Sequence, residues 1–386
     1  MRILFDATAM ALSTYHKGGA WRYGMEVARR LPGLLPAGWH LDLYFNFFRS
    51  RHLQGMQETA AALPGAGTVL SRLHPRLVRA LRIPAERLAG PHDLFHGPFD
   101  RIPRTRRAAR VVTIHDLAFL RAPEGLPRAW VEELKRTVPD SARRAHRVIT
   151  VSEFSRRDIV ERLGVPPERV QAIHHGISPA LQPARDPGAD LRRLRERYGI
   201  APGFVLYLGT LQPNKNIEGL CHAYQILRRR GFGGQLVLAG SQGWLYEEMW
   251  ARIEARGHDR GVLQTGFVDD EDIPRLYANC TAFALLSFLE GFGIPVIEAM
   301  ACGAPVVAAE ACSLPEVAGG AALLVDPHDP EAMADALERA ATPGPEREAL
   351  VRAGHERAAA FTWEASARQH VEAYEAALRT RDEEGP

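Results

Sequence analysis

SFLEGFGIPVIEAMACGAPVV, residues 287–307, follows a strand-like apolar run with a glycine-containing loop and then opens a helix. The first backbone N–H groups of a helix have no intrahelical partner and carry partial positive charge, so a phosphate or a sugar hydroxyl placed there finds donors ready. Gly291 and Gly293 permit close backbone approach at that point. Glu290 lies in the loop and Glu298 about two turns into the helix, so two carboxylates can face one cleft at different depths. Two readings stay open on spacing alone. In one, the carboxylates bond a sugar and a ribose; in the other, Glu298 is a solvated helix residue and Glu290 a partner of the helix dipole.

Outward from this stretch, apolar strand-like runs alternate with amphipathic helical segments, the pattern of parallel sheets joined by crossover helices. Strands are expected at residues 3–6, 41–47, 94–96, 111–115 and 148–151, and again at 204–209, 235–240, 262–266, 282–286, 305–307 and 322–325. SPALQPARDPGAD, residues 178–190, is rich in Pro and Gly without periodicity and is expected to link two domains. TWEASARQHVEAYEAAL, residues 362–378, reads as a final amphipathic helix with Thr362 as its N-cap. A chain of 386 residues suits two domains.

Apolar content of 46% and charged content of 24% exclude wholesale disorder. The opening MRILFDATAM reads as a strand, with none of the features of an export signal, and no uncharged apolar run approaches the roughly 20 residues that cross a bilayer. The four cysteines, Cys221, Cys280, Cys302 and Cys312, lack Cys-x-x-Cys spacing, which points to free thiols in a reducing cytoplasm. The net charge of +2 hides an asymmetry: residues 1–180 carry 28 Lys+Arg against 16 Asp+Glu, and residues 181–386 carry 20 against 30. The basic half should prefer an anionic surface or substrate.

Further segments add chemistry. In HKGGAWRYGMEVARRL, residues 16–31, Gly18 or Gly19 would bring backbone amides to a diphosphate at the start of a helix, with a merely structural turn as the alternative. VVTIHDLAFL, residues 111–120, sets His115 at the carboxyl end of a strand, where open α/β sheets place their ligands. The acidic run 269–272 reads as the cap and first turn of a helix rather than as a metal site.

The 287–307 stretch closely resembles the Glu-x7-Glu signature of retaining glycosyltransferases of family 4, which have the GT-B architecture. YLGTLQPNKNIEGL (207–220), HKGGAWRYG (16–24) with Arg22 and Tyr23 in a Gly-x-x-Arg-Tyr pattern, IHDLAFL (114–120), residues 149–178 and TGFVDDEDIPRLYANC (265–280) resemble the same family in the same order. The resemblance implies an α/β fold of two Rossmann-like domains with a cleft between them and a C-terminal helix crossing back. Residues 1–180 would bind the acceptor, with the 362–380 helix packing on them, and residues 200–360 would bind the nucleotide sugar. It further implies that Glu290 contacts hydroxyls of the transferred sugar, Glu298 the ribose, and the backbone from Phe292 and Gly293 to Ile294 the sugar and phosphate. Lys215 would sit over the diphosphate, stabilising the charge that builds on the leaving phosphate. His115 would bind the donor sugar, Gly18 and Gly19 the diphosphate, and the Val268 backbone the nucleobase. Many relatives carry an arginine where this chain has Thr210, so one expected phosphate contact is either absent or supplied elsewhere.

The function expected on this resemblance is retaining transfer of a hexose to a glycan or lipid-linked acceptor. GDP-mannose comes first as donor, with UDP-glucose or UDP-N-acetylglucosamine as alternatives. The nucleotide sugar is a substrate, and no cofactor, divalent metal or nucleic acid is expected. The arginine-rich run RLHPRLVRALRIPAERL, residues 72–88, suits either peripheral contact of a cytoplasmic enzyme with an anionic membrane or a solvated basic face. A nucleotide-sugar epimerase or a sugar phosphorylase on the same architecture is a rival, and a non-catalytic binding subunit is a weaker one.

Overall fold

Strands such as LVLA and AFAL are apolar at every position, the composition of strands covered on both faces in a parallel sheet. The computed structural model, which describes residues 1–12 and 18–384 apart from the Arg79 side chain, contains two such sheets. The first comprises β1 (Arg2–Asp6), β2 (His40–Asn46), β3 (Gly67–Ser71), β4 (Leu94–Gly97), β5 (Ala109–Thr113), β6 (Arg147–Thr150) and β7 (Val170–Ala172), in the order β3-β2-β1-β4-β5-β6-β7. The second comprises β8 (Val205–Leu208), β9 (Leu236–Ala239), β10 (Val262–Gly266), β11 (Ala282–Leu285), β12 (Val306–Ala309) and β13 (Leu323–Val325), in the order β10-β9-β8-β11-β12-β13. Every pairing is parallel, for example Ile3 opposite both Leu41 and Leu94, so each connection is a crossover.

The chain divides into two compact units, Met1–Leu117 with Ala129–Gly176 and Trp363–Pro386, and Ala118–Arg128 with Ile177–Thr362. Three details differ from the sequence expectation. Residues 118–128 belong to the second unit, not the first. The segment expected as linker is partly helical: Asp186 caps the helix Pro187–Tyr198, its carboxylate accepting from the Ala189 amide at 2.9 Å. Pro187 needs no N–H at that position and favours the start. The strands β3 and β7 were not expected; both are sheet-edge strands, β3 exposed at its first two residues and β7 of three residues, so neither shows a long apolar run.

The final helix, Trp363–Glu384, belongs to the first unit. Trp363, Tyr374, Ala377 and Leu378 share one buried cluster with Ile3, Phe5, Tyr23 and Ile149. Among the described residues no helix is long and apolar enough to cross a membrane. All four cysteines are free, three of them buried.

The acidic run leads into a helix, as expected, but does not cap it with a side chain. Asp272 precedes the helix Ile273–Asn279 but makes no side-chain cap bond. Its fully buried carboxylate instead accepts from Arg193 Nε at 2.5 Å, Arg197 Nη1 at 2.6 Å and the Tyr198 hydroxyl at 2.9 Å. Arg197 also pairs with Asp269, and Arg193 with Glu271. Asp269, Glu271 and Asp272 are the only group of carboxylates among the described residues close enough together to share an ion, and guanidiniums already neutralise them. Asp272→Ala removes the shared acceptor of the helix Pro187–Tyr198. It is expected to lower stability by about 1–3 kcal/mol, read as a lower urea midpoint at unchanged slope.

Candidate functional site

In the second unit the site forms where β8 and β11 end. Beyond β8 the chain is knitted to the loop after β9: Gly209 N donates to Ala239 O at 2.9 Å, Leu211 N to Ser241 O at 2.9 Å, and Gly243 N back to Leu211 O at 2.9 Å. The buried Tyr207 hydroxyl donates to Thr210 O at 3.0 Å, fixing the turn that carries Thr210. A Cβ on Gly240, where φ is +142°, would stand 2.0 Å from the Gly209 carbonyl oxygen. Gly240→Ala is therefore expected to cost about 2–4 kcal/mol, lower the apparent Tm by roughly 5–10 °C and raise the donor KM. Calorimetry alongside initial rates checks all three.

Lys215 ends a single 3-10 turn, Pro213–Lys215, and Asn216 follows in the left-handed region at φ 54°. Asn216 accepts from Gly219 N at 3.2 Å and donates to Pro327 O at 2.7 Å, so the residue that starts the next helix is held at both ends of its amide. Lys215 is thereby aimed at Glu290: Nζ lies 2.8 Å from Oε1, with the side chains 19% and 13% exposed. The Ser287 hydroxyl donates to the same oxygen at 2.8 Å. Ser313 Oγ lies 2.9 Å from Glu290 O and 3.0 Å from Phe292 O, which holds the loop backbone.

Gly293 is the N-cap of the helix Ile294–Ala301, with φ 99° and no side-chain cap bond. A Cβ there would meet the end of the Leu314 side chain, Cδ2, at 2.6 Å, but it is the positive φ that makes the turn require glycine. The first turn of this helix carries no acidic residue, which leaves its amides suited to an anionic or hydroxyl ligand. Phe292 is buried, its ring edge-on to Phe361 at 5.7 Å. Glu298 is not a solvated helix residue: it is 2% exposed, and Oε2 accepts from the Tyr277 hydroxyl at 3.1 Å. Val268, also buried, lies in the loop after β10. Ser287, Ser313 and Tyr277 escaped the sequence reading. Of these only Ser287, a polar residue ending an apolar strand run, left a signal.

In the first unit Gly18 is the N-cap of the helix Gly19–Leu34, whose first turn also lacks an acidic side chain. Residues 16 and 17 of the glycine-rich stretch lie outside the described residues. His115 follows β5, half-buried, with Nε2 3.0 Å from Pro98 O and its amide donating to Asp100 Oδ1 at 3.3 Å. Donation from Nε2 leaves Nδ1 as the acceptor in the neutral ring. Burial pushes the Asp100 carboxyl up to about 6, against the opposing pull of His115. Ser152 caps the helix Glu153–Leu163, accepting from Ser155 N at 3.1 Å, and Ser155 Oγ donates to His115 O at 3.2 Å.

Tyr23 has another task. With His370 Nδ1 2.7 Å from Ser366 O, Nε2 is the acceptor, and Tyr23 donates to it at 2.7 Å. Thr113 then donates to Tyr23 at 2.7 Å, His96 Nε2 to Thr113 at 2.8 Å, and Tyr374 to His96 Nδ1 at 2.7 Å. Every member is satisfied with both imidazoles neutral. Burial holds His96 well below its ordinary pKa and His370 down to about 4.

Two family models match the chain: Glycosyltransferase Family 4 over residues 17–181 and Glycosyl transferases group 1 over residues 192–357. O-antigen chain mannosyltransferase B of Escherichia coli is 31% identical over 385 residues, covering 97% of this chain and 99% of that protein. The chain belongs to glycosyltransferase family 4. A D-inositol 3-phosphate glycosyltransferase of Acidothermus cellulolyticus is 28% identical to this transferase, covering 94% of the chain and 87% of the relative. In fold, the transferase matches Anabaena HepE in complex with UDP and glucose, at a TM-score of 0.74 and 21% identity over 96% of this chain and 98% of that one. It also matches the sucrose-phosphate synthase of Thermosynechococcus elongatus, at 0.72 and 22% over 97% and 98%. The transferase therefore has the GT-B fold.

Proposed function

We propose that this glycosyltransferase moves mannose from GDP-mannose, with retention of anomeric configuration and without a divalent metal, to a hydroxyl of a growing glycan or lipid-linked acceptor. The observation that carries the donor is the 31% identity to an O-antigen mannosyltransferase along essentially the whole of both chains. Lys215 supports the metal-free reading: it is the only lysine beyond residue 135, and it is held beside Glu290 near uncapped helix amides, where a cation offsets charge developing on a leaving diphosphate. Glu290 would hold the sugar hydroxyls, Glu298 the ribose, and the backbone from Phe292 to Ile294 the sugar and phosphate. Gly18, Gly19 and His115 would serve the donor from the first unit, with Thr210 and Val268 completing its contacts. The acceptor hydroxyl would attack the face from which the diphosphate leaves, with a phosphate oxygen taking its proton.

Thermal shift and turnover across GDP-mannose, UDP-glucose and UDP-N-acetylglucosamine test the donor, since a ligand selective for the folded state raises apparent stability. GDP-mannose is expected to give the largest shift and the only rapid turnover. A larger response to a UDP sugar overturns the mannosyl assignment. Activity that EDTA extinguishes and magnesium restores overturns the metal-free one. Proton NMR of the first-formed anomer decides retention.

A further inference from the structure

The strand-end loops discussed so far leave one large cavity of the first unit without a role. It measures about 910 Å3 and lies at the carboxyl ends of β1, β2 and β3, lined by Thr8, Asn46 and His74 among others. These three strands are sheet neighbours, and their ends are tied together: Asn46 N donates to Thr8 Oγ1 at 3.0 Å and Phe47 N to Ser71 O at 3.2 Å. Arg72 donates to Ser50 Oγ at 2.9 Å and so shapes the loop beyond β2.

Four guanidiniums line this cavity, from Arg49 and Arg51 after β2, Arg76 after β3, and Arg136 on the helix Arg128–Arg144. Among the described residues none of the four has a carboxylate within ion-pairing distance, whereas Arg193, Arg197, Arg230 and Arg252 each have one or more. Two carboxylates also line the cavity. Glu133 is held by Arg101 at 3.0 Å, and Glu132 is exposed. The excess of positive charge registers on His52, whose pKa is held below its ordinary value by burial and then by Arg51 and Arg49. Phe48, 58% exposed with its ring 5.7 Å from that of His74, gives the rim an apolar face. Leu73, Leu77 and Leu81 stand exposed along the same segment at helical spacing.

Guanidiniums that have no ion-pair partner keep their donors available, and their planar forks match phosphate oxygens. We infer that this cavity is an acceptor subsite for a phosphate ester, in which Arg49, Arg51, Arg76 and Arg136 hold the phosphate while the Phe48 side of the rim receives the group esterified to it. The assignment rests on the transferase reading for the word acceptor and on this cavity alone for the chemistry. The phosphate can be that of a lipid carrier or of the glycan itself.

Calorimetric titration of the whole protein separates these, with GDP at saturation to fill the donor's diphosphate position. The probes are farnesyl diphosphate and mannose 6-phosphate, set against farnesol and methyl α-mannopyranoside. At least one phosphate ester is expected to bind roughly ten times tighter than its neutral counterpart, and Arg76→Gln with Arg136→Gln should remove most of that advantage. Farnesyl diphosphate ahead assigns the phosphate to a lipid carrier; mannose 6-phosphate ahead assigns it to the glycan. Equal binding of neutral and phosphorylated probes, or an advantage that survives the arginine substitutions, overturns the inference. Repeating the titration on Lys215→Ala without GDP keeps the two readings apart. Phosphate binding that persists there belongs to this cavity even if GDP-mannose proves not to be the donor, and phosphate binding lost there returns the probe to the donor site and overturns the inference.

Discussion

Replacing Lys215 with alanine is expected to lower kcat by roughly 10²–10³-fold, the usual effect of removing one preorganised group from the place where charge develops. Nucleotide binding should weaken as well, because the ammonium would act on the diphosphate before and during its departure. Glu290→Ala should abolish turnover while sparing nucleotide binding, since a sugar-hydroxyl contact is absent from GDP. The 2.8 Å bond between the two side chains makes the pair informative. If Lys215 and Glu290 serve only each other, the double substitution is no worse than either single one, and the loss appears in Tm rather than in rate. If each has its own share of the donor, GDP affinity separates the single variants: low for Lys215→Ala, near normal for Glu290→Ala. A fall in kcat of less than about threefold for Lys215→Ala would remove it from the chemistry.

Acidification between about pH 6.5 and pH 5 is expected to destabilise the first unit before most carboxylates titrate. His96, His175 and His370 are buried, and burial lowers the pKa of each, that of His370 to about 4. Below the unfolded value near 6.5 the unfolded chain binds more protons than the folded one at these sites, so their stability is present above about pH 6.5 and is lost as pH falls. Each histidine contributes a slope of about 1.4 kcal/mol per pH unit once below that value. Asp100 and Asp6, whose pKa values burial raises, act in the opposite sense. The net expectation is a loss of about 1–3 kcal/mol per pH unit. Calorimetric Tm measured at about pH 8, 6.5 and 5.5 tests it. A Tm that does not move across that window would mean that these imidazoles protonate freely in the folded state. Thr113→Val, which interrupts the hydrogen-bond chain between His96 and Tyr23, should lower Tm even at pH 8.

What the residues announced and what they concealed differ by kind. The four inner strands of the second sheet lie where apolar runs such as residues 235–240 and 282–286 predict, because a strand buried on both faces has no polar positions to blur it. The edge strands β3 and β7 were invisible for the opposite reason: exposed or short, they need no apolar run. Glu298 was ambiguous on spacing, since a helix residue five positions past the N-cap can face solvent or core; the Tyr277 hydroxyl, from a different helix, resolves it. The acidic run 269–272 looked like a helix start because nothing in its neighbourhood reveals Arg193 and Arg197, more than seventy residues earlier.

By itself the sequence determined the α/β class, the parallel crossover pattern and the membership of family 4, because strand and helix periods and a glycine-bound loop are local properties that a short window records. Only the tertiary structure decided that Lys215 meets Glu290, 75 residues away, and that Tyr23 meets His370, 347 residues away. It likewise decided that four arginines from three separate segments line one cavity. Such partnerships depend on which strand ends the sheet order makes neighbours, and no periodicity along the chain encodes that order.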